Sequence, residues 1–483
     1  QCSHRRCASH RIGVGMTATA QSKTLSSDPS TRTLVYNEAP SRVYAVLFFV
    51  SVCYFGKYFC MSDMYITQAL FQLQEGVTAE QMSFLFAMGY VSSVCGKITA
   101  GILSDAWGGK PVLMMSGCGY ITCTLLFSIV PKGGFALYSL VWILNSFFAL
   151  GITWVAVVAM VSNWIPVSHM GRLMALVSLA PQLGDALARA VLASVVNEAN
   201  NWRTVFQVAA GIALVIMLPV ACLLNNAPPE EQQKMAASDK QQAESPARTS
   251  FGAGVAKLGK NPLLYAVVGL SGSLYGIRVL FLLYSSTFLA STFCVTYRPS
   301  LELADCAVRP ETLGRTSIAS TAFTLSGCLS VLLVGSLKDS LPKRHRAGML
   351  SCFVAMLIGV LLVMALNGIS LSYEVSACLV GLVGMALFGP YKMLGTAFAN
   401  DIGGKALKGT ACSLMGISDN VTAVLVLLIK GQIGADWVRM FFALLAMSVV
   451  ALCCVSYMWL VDLRRHREDQ QQQGGYAKLG GGD

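Results

Sequence analysis

Gly101-Ile-Leu-Ser-Asp105-Ala-Trp-Gly108-Gly-Lys110 and Gly335-Ser-Leu-Lys-Asp339-Ser-Leu-Pro-Lys343-Arg344 are two copies of one pattern. In each, a glycine stands four residues before an aspartate and basic residues follow. Each also closes the second apolar run of a six-run set, so the chain reads as a duplicated bundle. Working outward, apolar runs of membrane length lie near 43–66, 82–103, 111–131, 135–160, 174–196 and 204–224. A second set lies near 263–290, 315–337, 347–366, 371–397, 411–430 and 437–461. The expected fold class is an all-α membrane protein of twelve transmembrane helices in two pseudosymmetric six-helix bundles.

Composition agrees with lipid as the solvent. Of 483 residues, 55% are hydrophobic and 12% charged, and the mean hydropathy is +0.60. An ordinary soluble domain carries about 25% charged residues. The formal charge of +11 does not point to nucleic acid, because the basic residues follow the topology. With both termini in the cytoplasm, 23 of the 35 Lys and Arg fall in inside segments and 7 in outside ones, as the positive-inside rule requires. The sixteen cysteines form no CxxC pair and have no histidine at metal spacing, so zinc is not indicated. Cys294 and Cys306, in the outer loop after helix seven, leave open a disulfide or two free thiols. No Gly-x-x-x-x-Gly-Lys loop is present for ATP-driven pumping.

The chain divides into an N-terminal tail (1–42), a first bundle (43–224), a linker (225–262), a second bundle (263–461) and a tail (462–483). The first tail is hydrophilic and its first methionine is Met16, so a targeting segment and a non-native stretch both stand as alternatives to a plain cytoplasmic tail. The linker carries Pro228, Pro229, Glu230, Glu231, Gln232 and Gln233, too polar to span. The last segment, with Gln470 to Gln473 and the glycines after it, reads as a disordered cytoplasmic tail.

Charges inside apolar runs mark candidate function, since an arginine at the bilayer midplane costs roughly 2.5–3.5 kcal/mol on insertion scales. Arg278 in helix seven, within Tyr275-Gly-Ile-Arg278, is the strongest; its planar fork suits a phosphate. Lys57 is read either as a second ligand or as the partner of Asp63. Lys97 adds positive potential. Asp185 and Arg189, four apart on helix five, read as an ion pair or as an acid with an anion-binding arginine. Asp419 is a cavity acid or a structural partner. Lys392 follows Gly389-Pro390 and either snorkels to the interface or takes part in coupling or an ion pair. In the repeats, Gly101 and Gly335 are expected to let helices approach closely, while Asp105 and Asp339 hold a neighbouring helix end or a basic side chain in one conformational state.

The paired loops resemble the major facilitator superfamily, whose signature is Gly-x-x-x-Asp-Arg-x-Gly-Arg-Lys. Gly101, Asp105, Gly108 and Lys110 are kept; Ala106 and Gly109 replace arginines. The resemblance implies two halves rocking about a central site. Ser92 to Asp105 with Lys97, Asn201-Trp202-Arg203, Phe388-Gly-Pro-Tyr391 and Lys408-Gly-Thr-Ala411 further resemble the organophosphate:phosphate antiporters, most of all the eukaryotic sugar-phosphate exchangers of solute carrier family thirty-seven. That resemblance implies exchange of a sugar phosphate or glycerol phosphate for inorganic phosphate, with Arg278 on the phosphate, Tyr275 beside it and no cofactor or metal. It departs at helix one, where Cys60 or Met61 stands for the family's second arginine, and at Pro181, which replaces a histidine of the bacterial relatives. The alternatives are a proton-coupled or facilitative transporter of another organic anion, and a nutrient sensor on the same fold. The membrane, the oligomeric state and any protein partner are not legible.

Overall fold

The computed structural model describes residues 40–162, 164, 176–224, 251–394 and 399–479, all helix, turn or short connection, with no strand among them. In the first bundle, helix one is Pro40–Gly56 continued by Phe59–Glu75, helix two Ala79–Trp107, helix three Gly109–Ile129, and helix four Phe135–Ser146 continued through Phe147–Ile152 to Thr153–Ser162. Helix five is Ala180–Ala199 and helix six Trp202–Leu223. The second bundle comprises helices seven to twelve: Pro262–Tyr297, Pro310–Ser340, Lys343–Asn367, Tyr373–Met393, Ala399–Ile433 and Trp437–Leu479.

Eleven of these cross a membrane by length and apolarity alone. The twelfth, helix five, carries Asp185, Arg189 and Glu198, charges that dilute its apolar character. The packing repeats the duplication seen in sequence. Helix one lies against five and six, as seven lies against eleven and twelve; helix two lies against four and three against six, as eight lies against ten and nine against twelve. The halves meet along two related seams, helix two with eleven and helix five with eight.

Close approach falls on other glycines than expected. A Cβ on Gly101 or Gly335 would meet nothing within 4 Å, so neither admits a neighbouring helix. The tight crossing is Gly96 with Gly151: a Cβ on Gly96 would lie 2.5 Å from Phe147 O and 2.8 Å from Gly151 Cα. Small residues let backbones meet where lipid supplies no hydrophobic drive. The side chains of Asp105, Asp339, Lys343 and Arg344 lie outside the described residues; Gly108, with φ +81°, makes the turn and suits a residue without Cβ.

Asn201-Trp202-Arg203 anchors the end of the first bundle away from the termini. Asn201 caps helix six, and Arg203 pairs with Glu75 at 2.9 Å while donating to Ser128 O, Val130 O and the Tyr138 hydroxyl. Trp202 packs with Phe71, Phe127, Tyr138 and Phe206. Helix extends beyond the apolar runs at two places. Helix twelve continues to Leu479, through a stretch with three arginines and four glutamines that favour helix, past the end of its apolar run at 461. In the linker, 251–258 is helical, its hydrophobic Phe251, Val255 and Leu258 spaced for one face; 225–250 lie outside the described residues.

Gly151→Leu, which forces a side chain into the Gly96 backbone, is expected to abolish monodisperse protein on gel filtration. Gly101→Ala and Gly335→Ala should leave thermal stability unchanged or raise it, by about 1 kcal/mol at most.

Candidate functional site

Three helices are deformed where they pass the centre of the bundle. Helix one breaks at Lys57 and Tyr58, where the bonding shifts to a three-residue step, Tyr58 N to Phe55 O at 3.0 Å and Cys60 N to Lys57 O at 3.1 Å. Helix four widens into a π-turn over Phe147–Ile152. There Ser116 Oγ from helix three and Thr153 Oγ1 both donate to Phe148 O, at 2.9 and 3.2 Å. Helix ten carries Gly389-Pro390, and Ser330 Oγ is inserted into its ladder, accepting from Gly389 N at 3.0 Å and donating to Met385 O at 2.5 Å. Such interruptions recur at functional sites. Here they precede or carry Lys57, Trp154, Tyr391 and Lys392.

The cations these devices present lie against aromatic faces. Lys57, 3% exposed, sits 4.9 Å from the Tyr54 ring and 4.7 Å from the Tyr58 ring. Arg278 lies 5.6 Å from Tyr275, 5.2 Å from Phe388 and 5.8 Å from Tyr391. Lys392 lies 6.0 Å from Tyr391 and 5.7 Å from Trp154. Ring contacts join the set: Tyr54 with Trp154 at 5.6 Å, Tyr275 with Tyr391 at 5.6 Å and with Tyr90 at 6.2 Å. A cation over a ring face gains about 0.5–2 kcal/mol, more when desolvated. The rings therefore hold charge without neutralising it.

Lys57 lies within electrostatic range of Arg278, Lys392 and Lys97. The carboxylate facing them is Asp419, which interacts with Lys97, Arg278 and Lys392. Its two oxygens accept from Ser271 Oγ at 2.6 Å and Tyr391 OH at 2.9 Å, so it is held in place by the second bundle. Nε of Arg278 is buried without a hydrogen-bond partner. Of the residues expected at the site, Arg278, Tyr275, Lys57, Lys97 and Asp419 are brought together.

Others are not. Lys57 makes no ion pair with Asp63. That carboxylate is fully buried, accepts only the backbone N–H of Met64 through one oxygen, and leaves the other without a partner. Lys392 does not snorkel: its ammonium lies over Trp154 of the opposite bundle. Arg189 is not a free anion ligand. Its Nε pairs with Asp185 at 2.9 Å, and its other two nitrogens donate to Ser320 Oγ at 2.9 Å and Leu282 O at 2.6 Å. Ser62 completes Asp185 at 2.7 Å. Because Ser320 and Leu282 belong to the second bundle, this ion pair ties the halves together. Ser83 with Tyr284 at 2.9 Å and Ser286 with Tyr65 O at 3.1 Å add to the seam, towards the end away from the termini.

Sequence reasoning missed Tyr54, Tyr58, Tyr90 and Trp154, although Tyr54, Lys57 and Tyr58 share one helical face. It also missed Gln182, buried with both amide atoms unpartnered, one turn from Asp185. Removing one member of a buried ion pair costs about 3–5 kcal/mol, whereas replacing both by apolar groups is often neutral. Arg189→Met is therefore expected to lower the melting temperature by several degrees, and Asp185→Leu with Arg189→Met to recover most of it, by thermal unfolding of the purified protein.

Comparison with known proteins agrees with this architecture. Solved structures with similar folds include the nucleoside transporter NupG, 14% identical with a TM-score of 0.64, covering 86% of this chain and 99% of its own. A D-xylose-proton symporter is 12% identical with a TM-score of 0.63, covering 86% and 97%. A bacterial homologue of the human lysosomal transporter Spinster is 11% identical with a TM-score of 0.60, covering 88% and 98%. At these identities the likeness is one of fold. Among curated proteins none matches the sequence. The profile of the Major Facilitator Superfamily matches residues 46–426, most of both bundles, and the chain is a member of that superfamily.

Proposed function

We propose that the protein exchanges a phosphorylated small metabolite, a sugar phosphate or glycerol phosphate, for inorganic phosphate by alternating access. The observation that carries this reading is the convergence of Lys57 and Lys97 from one bundle with Arg278 from the other, against Asp419 as the one facing carboxylate among the described residues. Lys57, Lys97 and Arg278 against that one acid leave two positive charges, which suit a ligand of about two negative charges, the charge of a phosphate monoester. Arg278 would grip the phosphate through its planar fork, with Lys57 and Lys97 as point charges across the seam.

Exchange follows from the same charges. At an effective dielectric of about 20, two like charges roughly 10 Å apart repel by about 1.7 kcal/mol. Closing the halves around an empty site brings cations of both bundles together. A bound dianion replaces that repulsion with attraction to each half, and a ligand shifts an equilibrium only through such differential interaction. Reorientation is then favoured with an anion aboard, in either direction. The termini and linker lie in the cytoplasm on this reading, since the basic residues concentrate there.

Asp63 favours a second reading, proton-coupled transport of another organic anion. A buried carboxyl with one oxygen unpartnered is costly as an anion in a membrane span and is suited to carry a proton.

Two outcomes separate the readings in proteoliposomes. Labelled phosphate uptake is expected to be stimulated by internal sugar phosphate and to fall at least 30-fold in Arg278→Ala, since losing a charge-assisted bond to the dianion costs about 2 kcal/mol. Asp63→Asn should leave that exchange intact and its rate insensitive to an imposed pH gradient. Gradient-driven uptake that Asp63→Asn abolishes would replace exchange by proton coupling.

A further inference from the structure

At the end of the bundle away from the termini, the end of helix seven, the turn at 298–301 and the start of helix eight line an open depression of about 500 Å³, and the short helix Leu303–Ala307 packs against both helices. Arg298, Arg309, Glu311 and Arg315 line it, with Phe293 and Tyr297 on one wall. None of these belongs to the central cation cluster.

The depression is built rather than incidental. A disulfide joins Cys294 at the end of helix seven to Cys306 in the short helix, and both cysteines are buried. Each anchors an arginine: Arg298 N donates to Cys294 O at 3.0 Å and Arg309 N to Cys306 O at 3.3 Å. The cross-link therefore fixes the backbones of two basic residues that lie eleven apart in sequence. Glu311 sits between the other forks, with Arg298 at 2.9 Å and Arg315 at 3.3 Å. The Arg309 side chain is exposed and makes no ion pair or hydrogen bond among the described residues. The Tyr297 hydroxyl donates to Glu374 and Tyr373 N donates to Thr296 Oγ1, which tie the wall to helix ten.

We infer that this depression is a second anion site, one that takes a phosphate monoester group. Three arginines and one glutamate leave two positive charges unmatched, the charge of a monoester dianion. Guanidinium forks donate paired hydrogen bonds to phosphate oxygens. The volume lies within the roughly 300–1,000 Å³ of small-molecule sites, larger than phosphate alone needs, so an organic portion fits beside it. A soluble phosphate ester and the headgroup of phosphatidic acid share this chemistry. The inference does not depend on what the central site transports.

The test uses full-length protein carrying Arg278→Ala, with and without Arg309→Gln and Arg315→Gln. Both arginines are exposed, so their replacement leaves the fold intact, as gel filtration checks. Equilibrium dialysis with labelled inorganic phosphate should find one saturable site in the Arg278→Ala protein, weakened at least tenfold when the two glutamines are added. Phosphate binding lost to the glutamines assigns a soluble source. Phosphatidic acid retained from doped phosphatidylcholine nanodiscs by native mass spectrometry, and lost with the glutamines, assigns a lipid one. If neither ligand binds the Arg278→Ala protein in a way the glutamines diminish, the four side chains are a solvated ion-pair network and the inference fails. Equal phosphate binding by wild type and Arg278→Ala would count against the central site alone.

Discussion

Like charge held without neutralisation is the constraint around which the rest of the molecule is arranged. Lys57, Lys97 and Arg278 stand within a membrane-spanning bundle, where burying a cation is expensive, and among the described residues Asp419 is the carboxylate that faces them. The protein meets this cost with aromatic faces. Tyr54, Tyr58, Tyr275, Tyr391, Phe388 and Trp154 lie within 6.0 Å of a cationic head. Ring quadrupoles stabilise the charges while leaving them attractive to an anion. Acidic partners would have stabilised them better and extinguished that attraction.

Contrast with helix five makes the point. Arg189 is as deeply buried as Lys57, yet every nitrogen is engaged, by Asp185, Ser320 and Leu282 O. Satisfied polar groups of this kind fasten two elements in one arrangement. One arginine thus serves as a fastener between halves and another, Arg278, stays partly unpartnered. The difference arises from neighbours: an aspartate one turn away and a carbonyl across the seam for Arg189, tyrosines for Arg278. Breaks in helices one, four and ten supply the geometry, each stabilised by a short-step bond or an inserted hydroxyl.

The twelve spans and the two halves were legible in sequence because apolar length has large energetic consequences in lipid, and Arg278 stood out there as an isolated charge. The same signals located Lys57, Lys97 and Asp419, but periodicity describes one helix face and is silent about what packs against it. Hence the pairing of Lys57 with Asp63, the free role for Arg189 and the snorkelling of Lys392 were all open from sequence and are settled by neighbours on other helices. Gly101 and Gly335 stood out by their motif, whereas the crossing uses Gly96 and Gly151, which no repeat marks. The fifth helix was found from sequence at 174–196 even though its charges weaken its apolar signal.

Thermal unfolding of purified wild type and Lys57→Met, both in a background carrying Arg309→Gln and Arg315→Gln and each with and without inorganic phosphate, tests the anion-centred site most directly. Self-repulsion in an anion site predicts that phosphate raises the wild-type melting temperature, that Lys57→Met is at least as stable as wild type without ligand, and that its phosphate response is much reduced. A Lys57→Met protein several degrees less stable than wild type, with an undiminished response to phosphate, would show Lys57 to be a structural cation and contradict the site.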